Sequence, residues 1–293
     1  FTVLDSTVMA PVMAAGLVLM WIVRRVAGHF GLSSEVQRKL VHVTIGASAL
    51  TYPAIFSGPL PVFVLTGLGI VVMLALRSGR FIRDGIGSVL HDVERHSYGE
   101  IYLAVAIAFI FFRSQGAPVL YVLPVLVITL SDTASALVGT RYGRKRFTVE
   151  NGTKSLEGVV AFFMVTWLCA MIALLLLTDA GRMNIIVLSL LIAAFCALVE
   201  ADSWNGLDNL FVPIGAHLLL AEHLDSGAVE LTAIAIIFVA AMLAMLAFAS
   251  VLDMSDHAAR AYTILLFLVL SVTTPNNAIL LALAVLLLFL NLH

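Results

Sequence analysis

Apolar runs recur along the whole chain, and polar residues fall between them in short clusters. A helix of about 20 apolar residues crosses the hydrocarbon core of a bilayer. The pattern predicts spans near 8–27, 40–56, 59–76, 98–112, 117–138, 155–177, 184–200, 207–222, 231–251, 258–274 and 276–292. The segment 207–222 carries Asp208, Asn209, Pro213 and His217, so a re-entrant path is the alternative to a crossing there. The expected fold is all-α, a polytopic transmembrane helical bundle of about 9–11 spans. Residues 1–227 hold the polar clusters, whereas 228–293 read as an apolar C-terminal extension of unknown role, without a polar motif. No internal repeat or soluble domain interrupts this order.

Composition agrees. Hydrophobic residues make up 61% and charged residues 12%, against about 45–50% and about 25% in soluble domains. The mean hydropathy is +1.08. Both cysteines, Cys169 and Cys196, fall in apolar spans and read as buried free thiols. The chain begins at Phe1 rather than Met, so an earlier native start is expected. Residues 8–27 are too long for a simple cleaved signal and carry their arginines on the wrong flank.

Charge placement adds an orientation. Arg24, Arg25, Arg38 and Lys39 lie between the first two spans, and Arg77, Arg80, Arg83 and Arg95 between the third and fourth. Arg141, Arg144, Lys145, Arg146 and Lys154 lie between the fifth and sixth. The intervening loops hold only Arg113 and Arg182. The positive-inside rule makes the basic loops cytoplasmic and the N-terminus external. The expected location is a multi-pass position in the membrane, the inner membrane in a prokaryote, with the polar clusters facing the cytoplasm.

Four clusters carry candidate chemistry. In EVQRKLVHV, Arg38, Lys39 and His42 can share a helical face. They suit phosphate or headgroup binding, or an interfacial basic helix against anionic lipids. In HSYGEIYL, Glu100 opens a span between Tyr98 and Tyr102, and a snorkelling carboxylate at the interface is the plain alternative.

The third cluster, SDTASALVGTRYGRKRFTVENGTKSLEG, starts inside an apolar span with Asp132. An acid at a helix centre costs roughly 2.5–3.5 kcal/mol on insertion scales, so it has a function or a partner. Asp132, Ser135 and Gly139 share one face. Lys154, Glu157 and Gly158 follow on the next predicted helix, where Asn151, Gly152 and Thr153 would offer backbone N–H groups to phosphates. Mg²⁺ needs only one or two carboxylates beside phosphate oxygens and water, so Asp132 with a partner acid would suffice. A structural Asp132–Lys154 ion pair is the alternative. In the fourth cluster, VEADSWNGLDNLFVPIG, Glu200, Asp208 and Asn209 could complete a metal shell, while Asp202 reads as a solvated acid. Neither a Walker pattern nor a protein-kinase signature occurs.

The succession RKLVH, HSYGEIY, SDTASALVGTRYGRK, NGTKSLEG and VEADSWNGLDNL resembles the dolichol kinase and phytol kinase family, over roughly residues 35 to 215. The resemblance implies a membrane enzyme that phosphorylates a lipid alcohol of polyprenol, dolichol or phytol type. CTP would be the phosphoryl donor, with Mg²⁺ required. It implies Asp132 and Asp208 as metal-binding or catalytic acids; Glu200, from the fourth cluster, is a further candidate metal ligand. Arg141, Gly143, Lys154 and Ser155 would contact nucleotide phosphates, and Arg38, Lys39 and His42 would belong to the same surface. Ser135, Gly139, Thr153 and Asn209 complete the expected nucleotide-binding set. Asp132 or Glu157 would accept the lipid hydroxyl proton. The partners expected are the lipid alcohol, CTP and the bilayer, without nucleic acid.

Phosphatidate cytidylyltransferase shares the Asp132 to Gly158 pattern more loosely, so CDP-lipid synthesis is the enzymatic alternative. The proline-glycine-histidine-glycine signature of that enzyme is missing, and Gly206–Asn209 resembles the lipid kinases instead. A secondary transporter would show repeats and midplane charges.

Overall fold

The computed structural model describes residues 3–78, 98–114, 116–149, 152–251 and 254–272. The predicted span 276–292, the loop residues Arg80, Arg83 and Arg95, and His96 and Asn151 lie outside them. Eleven helices and one hairpin are described: α1 (Val3–Phe30), α2 (Ser34–Ala49), α3 (Tyr52–Ile55), α4 (Pro59–Ser78), α5 (Gly99–Arg113), α6 (Pro118–Tyr142), β1 (Arg146–Val149), β2 (Gly152–Ser155), α7 (Leu156–Leu177), α8 (Arg182–Asp202), α9 (Asp208–His223), α10 (Ala228–Val251) and α11 (Asp256–Val272). The fold is all-α apart from the hairpin.

Helices α6, α7 and α8 form the centre, with α6 packed along α7 and α7 along α8. Helix α9 lies against α5, α6 and α8, while α2 covers α6 and α11 covers α8 and α9. The core between them includes Tyr121, Ile128, Phe162 and Phe195. Leu168, Ile172, Leu175 and Leu176 of α7 and Ile236, Ile237 and Leu243 of α10 point outward. Lys39, Asp132 and Glu200 are buried instead. Apolar side chains outside and ionic groups inside are what a hydrocarbon solvent selects.

Four of the described helices have segments long and apolar enough to cross a membrane: Pro118–Tyr142, Leu156–Leu177, Arg182–Asp202 and Ala228–Met245. Helices α2 and α9 are among those shorter than a crossing. Sixteen residues, the length of both α2 and α9, rise about 24 Å, against a hydrocarbon core of about 30 Å. The predicted span 40–56 is divided, because α2 stops at Ala49 and the chain restarts at α3 with Pro53 in its first turn. Segment 207–222 is one continuous helix despite Pro213.

The interval after α6 departs from the expected helix start at Lys154. It is an antiparallel hairpin pairing Arg146 with Ser155, Phe147 with Lys154, Thr148 with Thr153 and Val149 with Gly152. Thr148, Val149 and Thr153 favour extended backbone, and Gly152 supplies the positive φ of 130° that the reversal needs. Helix α7 begins at Leu156, where Ser155 Oγ accepts the Gly158 N–H at 3.1 Å as the N-cap.

The C-terminal segment carries two polar anchors. His257 and Arg260 of α11 both bond Asp202 at the end of α8. Phe195, Phe238 and Phe267 stack where α8, α10 and α11 meet.

Candidate active site: two buried ion pairs beside a basic hairpin

Asp132 lies ten residues before the end of α6, about 15 Å along the axis. It is paired, and its partner is not Lys154. Lys39 Nζ of α2 reaches Asp132 Oδ2 at 2.6 Å, with both side chains about 5% exposed. His42, one turn along α2, donates Nε2–H to the Ile128 carbonyl at 3.0 Å and lies 3.5 Å from Asp132 Oδ2. Arg38 points to Glu35 instead, at 2.7 Å, and is only partly buried. Hence Lys39 and His42 enter the interior while Arg38 remains at its margin.

Lys154 finds a different acid. Its Nζ donates to Glu200 Oε1 at 2.9 Å and to the Glu200 carbonyl. Ser135, one turn beyond Asp132, donates to the same Oε1 at 3.4 Å. The structural Asp132–Lys154 pair is therefore replaced by two pairs, Lys39–Asp132 and Lys154–Glu200, linked through Ser135 on α6. Burial alone would lower the Lys154 pKa, but the Glu200 charge, with lesser help from Asp208 and Asp132, holds it above the ordinary lysine value.

The α8–α9 turn brings the fourth cluster to the same place. Asn205 and Gly206 both take positive φ, 53° and 86°, conformations that Asn and Gly tolerate best. The chain reverses there, and Asp208 starts α9 close enough for its charge to act on Lys154, Glu200 and His42. Glu100 of α5 is buried too, and its charge reaches Arg38. It is not a snorkelling group at the surface.

The small residues have a packing reason. A Cβ on Gly139 would lie 3.0 Å from Ser155 Oγ, and one on Gly143 would strike the Gly139 carbonyl and sit 2.8 Å from Ser155 Cβ. These glycines let the hairpin base close on α6. Ser155 is thereby committed to capping α7.

Three expected site residues stand apart from the buried cluster. Arg141 is exposed and lies over the Tyr142 ring at 5.6 Å. Thr153 is exposed opposite Thr148. Glu157 accepts the Lys145 backbone N–H on both oxygens, at 3.2 and 3.3 Å, and so ties the hairpin base to α7. Asp202 was missed by sequence reasoning. It is 4% exposed rather than solvated, and it accepts hydrogen bonds from His257 and Arg260 of α11.

Among the described residues, four buried side-chain N or O atoms lack a hydrogen-bond partner, and two of them are Glu200 Oε2 and Asn209 Oδ1, the latter next to Asp208 at the start of α9. A buried acceptor without a partner costs about 1–3 kcal/mol. Both atoms are oxygens, the donor type that Mg²⁺ selects. Among the described residues no three His, Cys, Asp or Glu side chains gather closely enough to hold a metal ion by themselves. Mg²⁺ does not demand that, because phosphate and water oxygens usually complete its shell. The donor set fits a Mg²⁺–phosphate complex better than a bare ion.

The fold and site define a helical membrane protein with a buried, charge-paired cluster beside a cationic hairpin. The chain is 32% identical over 193 residues to a phytol kinase from Synechocystis sp., a match covering 64% of this chain and 78% of the relative. It belongs to the phytol kinase and dolichol kinase family of lipid-alcohol kinases. No family model matches the chain. No solved structure matches it either.

Proposed function

We propose that this protein transfers the γ-phosphoryl group of CTP to the hydroxyl of a membrane lipid alcohol, of phytol or polyprenol type, at the cytoplasmic face. The observation that carries this reading is the buried Glu200, whose Oε1 accepts from Lys154 while its Oε2 has no partner. A second open oxygen, Asn209 Oδ1, adjoins Asp208, whose charge acts on both Lys154 and Glu200. The kinship with a phytol kinase supports the acceptor class.

Phosphoryl transfer requires alignment and charge neutralisation more than covalent chemistry by the protein. Lys154, held by Glu200, would meet the phosphate oxygens, with Arg144, Lys145 and Arg146 of the exposed hairpin base drawing in the nucleotide. Glu200, Asp208 and Asn209 would hold Mg²⁺, with Asp132 nearby. When bound, the ion would neutralise charge on the terminal phosphates. The lipid hydroxyl attacks the γ-phosphorus, the bond to the bridging β-γ oxygen breaks, and CDP leaves. The hydroxyl proton passes to a carboxylate. Of the two expected acceptors, Glu157 is occupied by the Lys145 N–H. Asp132 is the better placed, because Lys39 occupies only Oδ2 in the bonds described. The outward apolar faces of α7 and α10 would meet lipid, so the acceptor tail could stay in the bilayer while its hydroxyl enters.

The test is to incubate the purified protein in lipid with CTP or ATP and a panel of lipid alcohols, with and without EDTA. CTP- and Mg²⁺-dependent formation of a lipid monophosphate is expected. Equal turnover with ATP, or full activity in EDTA, would refute the donor and metal assignments.

A further inference from the structure

Buried Asp202 and partly buried His257 and Arg260 form a second polar cluster that the proposed chemistry does not use. Asp202 Oδ1 accepts from His257 Nδ1 at 2.8 Å and from Arg260 Nε at 2.9 Å. The Trp204 ring closes on His257 at 5.1 Å. A buried carboxylate needs such partners, because an uncompensated charge there is costly. That need explains the two donors at Asp202. It does not explain the other contact of Arg260, whose guanidinium carbon lies 5.8 Å from the centre of the Phe147 ring in β1.

Phe147 stands directly opposite Lys154 in the hairpin register. Opposite residues of an antiparallel pair project from the same face. Lys154 reaches Glu200, and Glu200 lies two residues before Asp202 on α8. The contacts therefore close a circuit: Arg260 to Phe147, across the strands to Lys154, to Glu200, along α8 to Asp202, and back to Arg260. The hairpin is thus held at two adjacent points, one inside the candidate site and one on α11.

We propose that Arg260 is a positioning residue, which fixes the hairpin through Phe147 so that Lys154 is presented to the phosphates of the bound nucleotide. Asp202 and His257 anchor that arginine. The inference rests on Lys154 being the phosphate-binding group. It gives α11 a role in the nucleotide site without direct contact with the reacting atoms.

The experiment uses the full chain in nanodiscs, with Arg260→Met, Phe147→Leu and Phe147→Tyr. Two quantities are read: the rate of tryptic cleavage at Arg144–Arg146 without substrate, and KM for CTP and for the lipid alcohol. A cation–π contact of about 0.5–1 kcal/mol corresponds to roughly two- to fivefold. Arg260→Met and Phe147→Leu should accelerate hairpin cleavage and raise the KM for CTP by about that factor, leaving the KM for lipid unchanged. Phe147→Tyr should behave as the parent protein. A merely structural contact would lower the active fraction, and so kcat, without moving the KM for CTP; that result overturns the proposal. Unchanged cleavage in Phe147→Leu overturns it as well, and this variant keeps the Asp202 pair if Arg260→Met fails to fold. Should the parent protein lack CTP-dependent activity, the phosphate-site reading fails, while the cleavage rates still decide whether Arg260 clamps the hairpin.

Discussion

Lys39 and Asp132 form a buried ion pair of 2.6 Å that joins α2 to α6 across 93 residues of sequence. Taking either partner away leaves a charge in the helix interior, at a cost of roughly 3–5 kcal/mol. Asp132→Asn and Lys39→Met should each lower thermal stability by that order, and the double variant should recover much of it. If Asp132 also serves the reaction, the restabilised double variant stays inactive. Thermal unfolding and CTP-dependent turnover on the three proteins separate the roles, and an active double variant would limit Asp132 to structure.

Lys154 should behave differently, because its side chain is about one-fifth exposed. Lys154→Met is expected to lose about a hundredfold in turnover, the order associated with one lost charge-stabilising group. Its folded pKa is raised above the ordinary 10.5. The stability it contributes is therefore complete below pH 10.5 and lost only as pH rises through the higher folded value. Activity should show no fall between neutral pH and about pH 9.5 from this group. A decline in that range, abolished in Lys154→Arg, would contradict the assignment.

Gly143 tests the closure of the hairpin base. Gly143→Ala places a Cβ against the Gly139 carbonyl and Ser155, and overpacking of this kind costs about 1–3 kcal/mol. Turnover should fall together with faster proteolysis of the hairpin, whereas Gly67→Ala, whose Cβ meets nothing within 4 Å, should be neutral. Equal behaviour of the two variants would remove the packing argument.

The helices were legible because apolar runs of bilayer length repeat, and the polar residues inside them drew attention to Lys39, Asp132, Lys154, Glu200 and Asp208. The pairings were not. Lys39 and Lys154 are both plausible partners for Asp132 by charge alone, and only the packing of α2 on α6 decides. The hairpin escaped because its strands are four residues each, too short for alternation to register. Asp202 read as a solvated acid because its partners, His257 and Arg260, lie more than fifty residues away on α11.

Orientation can be tested on the hairpin itself. With Cys169 and Cys196 replaced, a cysteine at exposed Thr148 should resist an impermeant thiol reagent in intact cells and react after permeabilisation. Labelling from outside would invert the topology and remove the nucleotide site from the cytoplasm.

The central claim is γ-phosphoryl transfer from CTP by the buried cluster, and the most direct measurement follows two labels. Parent protein and Asp208→Asn are given a lipid alcohol with CTP labelled at either the γ- or the α-phosphorus. The account predicts that γ-label enters lipid, that α-label stays in CDP, and that Asp208→Asn loses about a hundredfold while remaining folded. Entry of α-label into lipid, or full activity of Asp208→Asn, would contradict it.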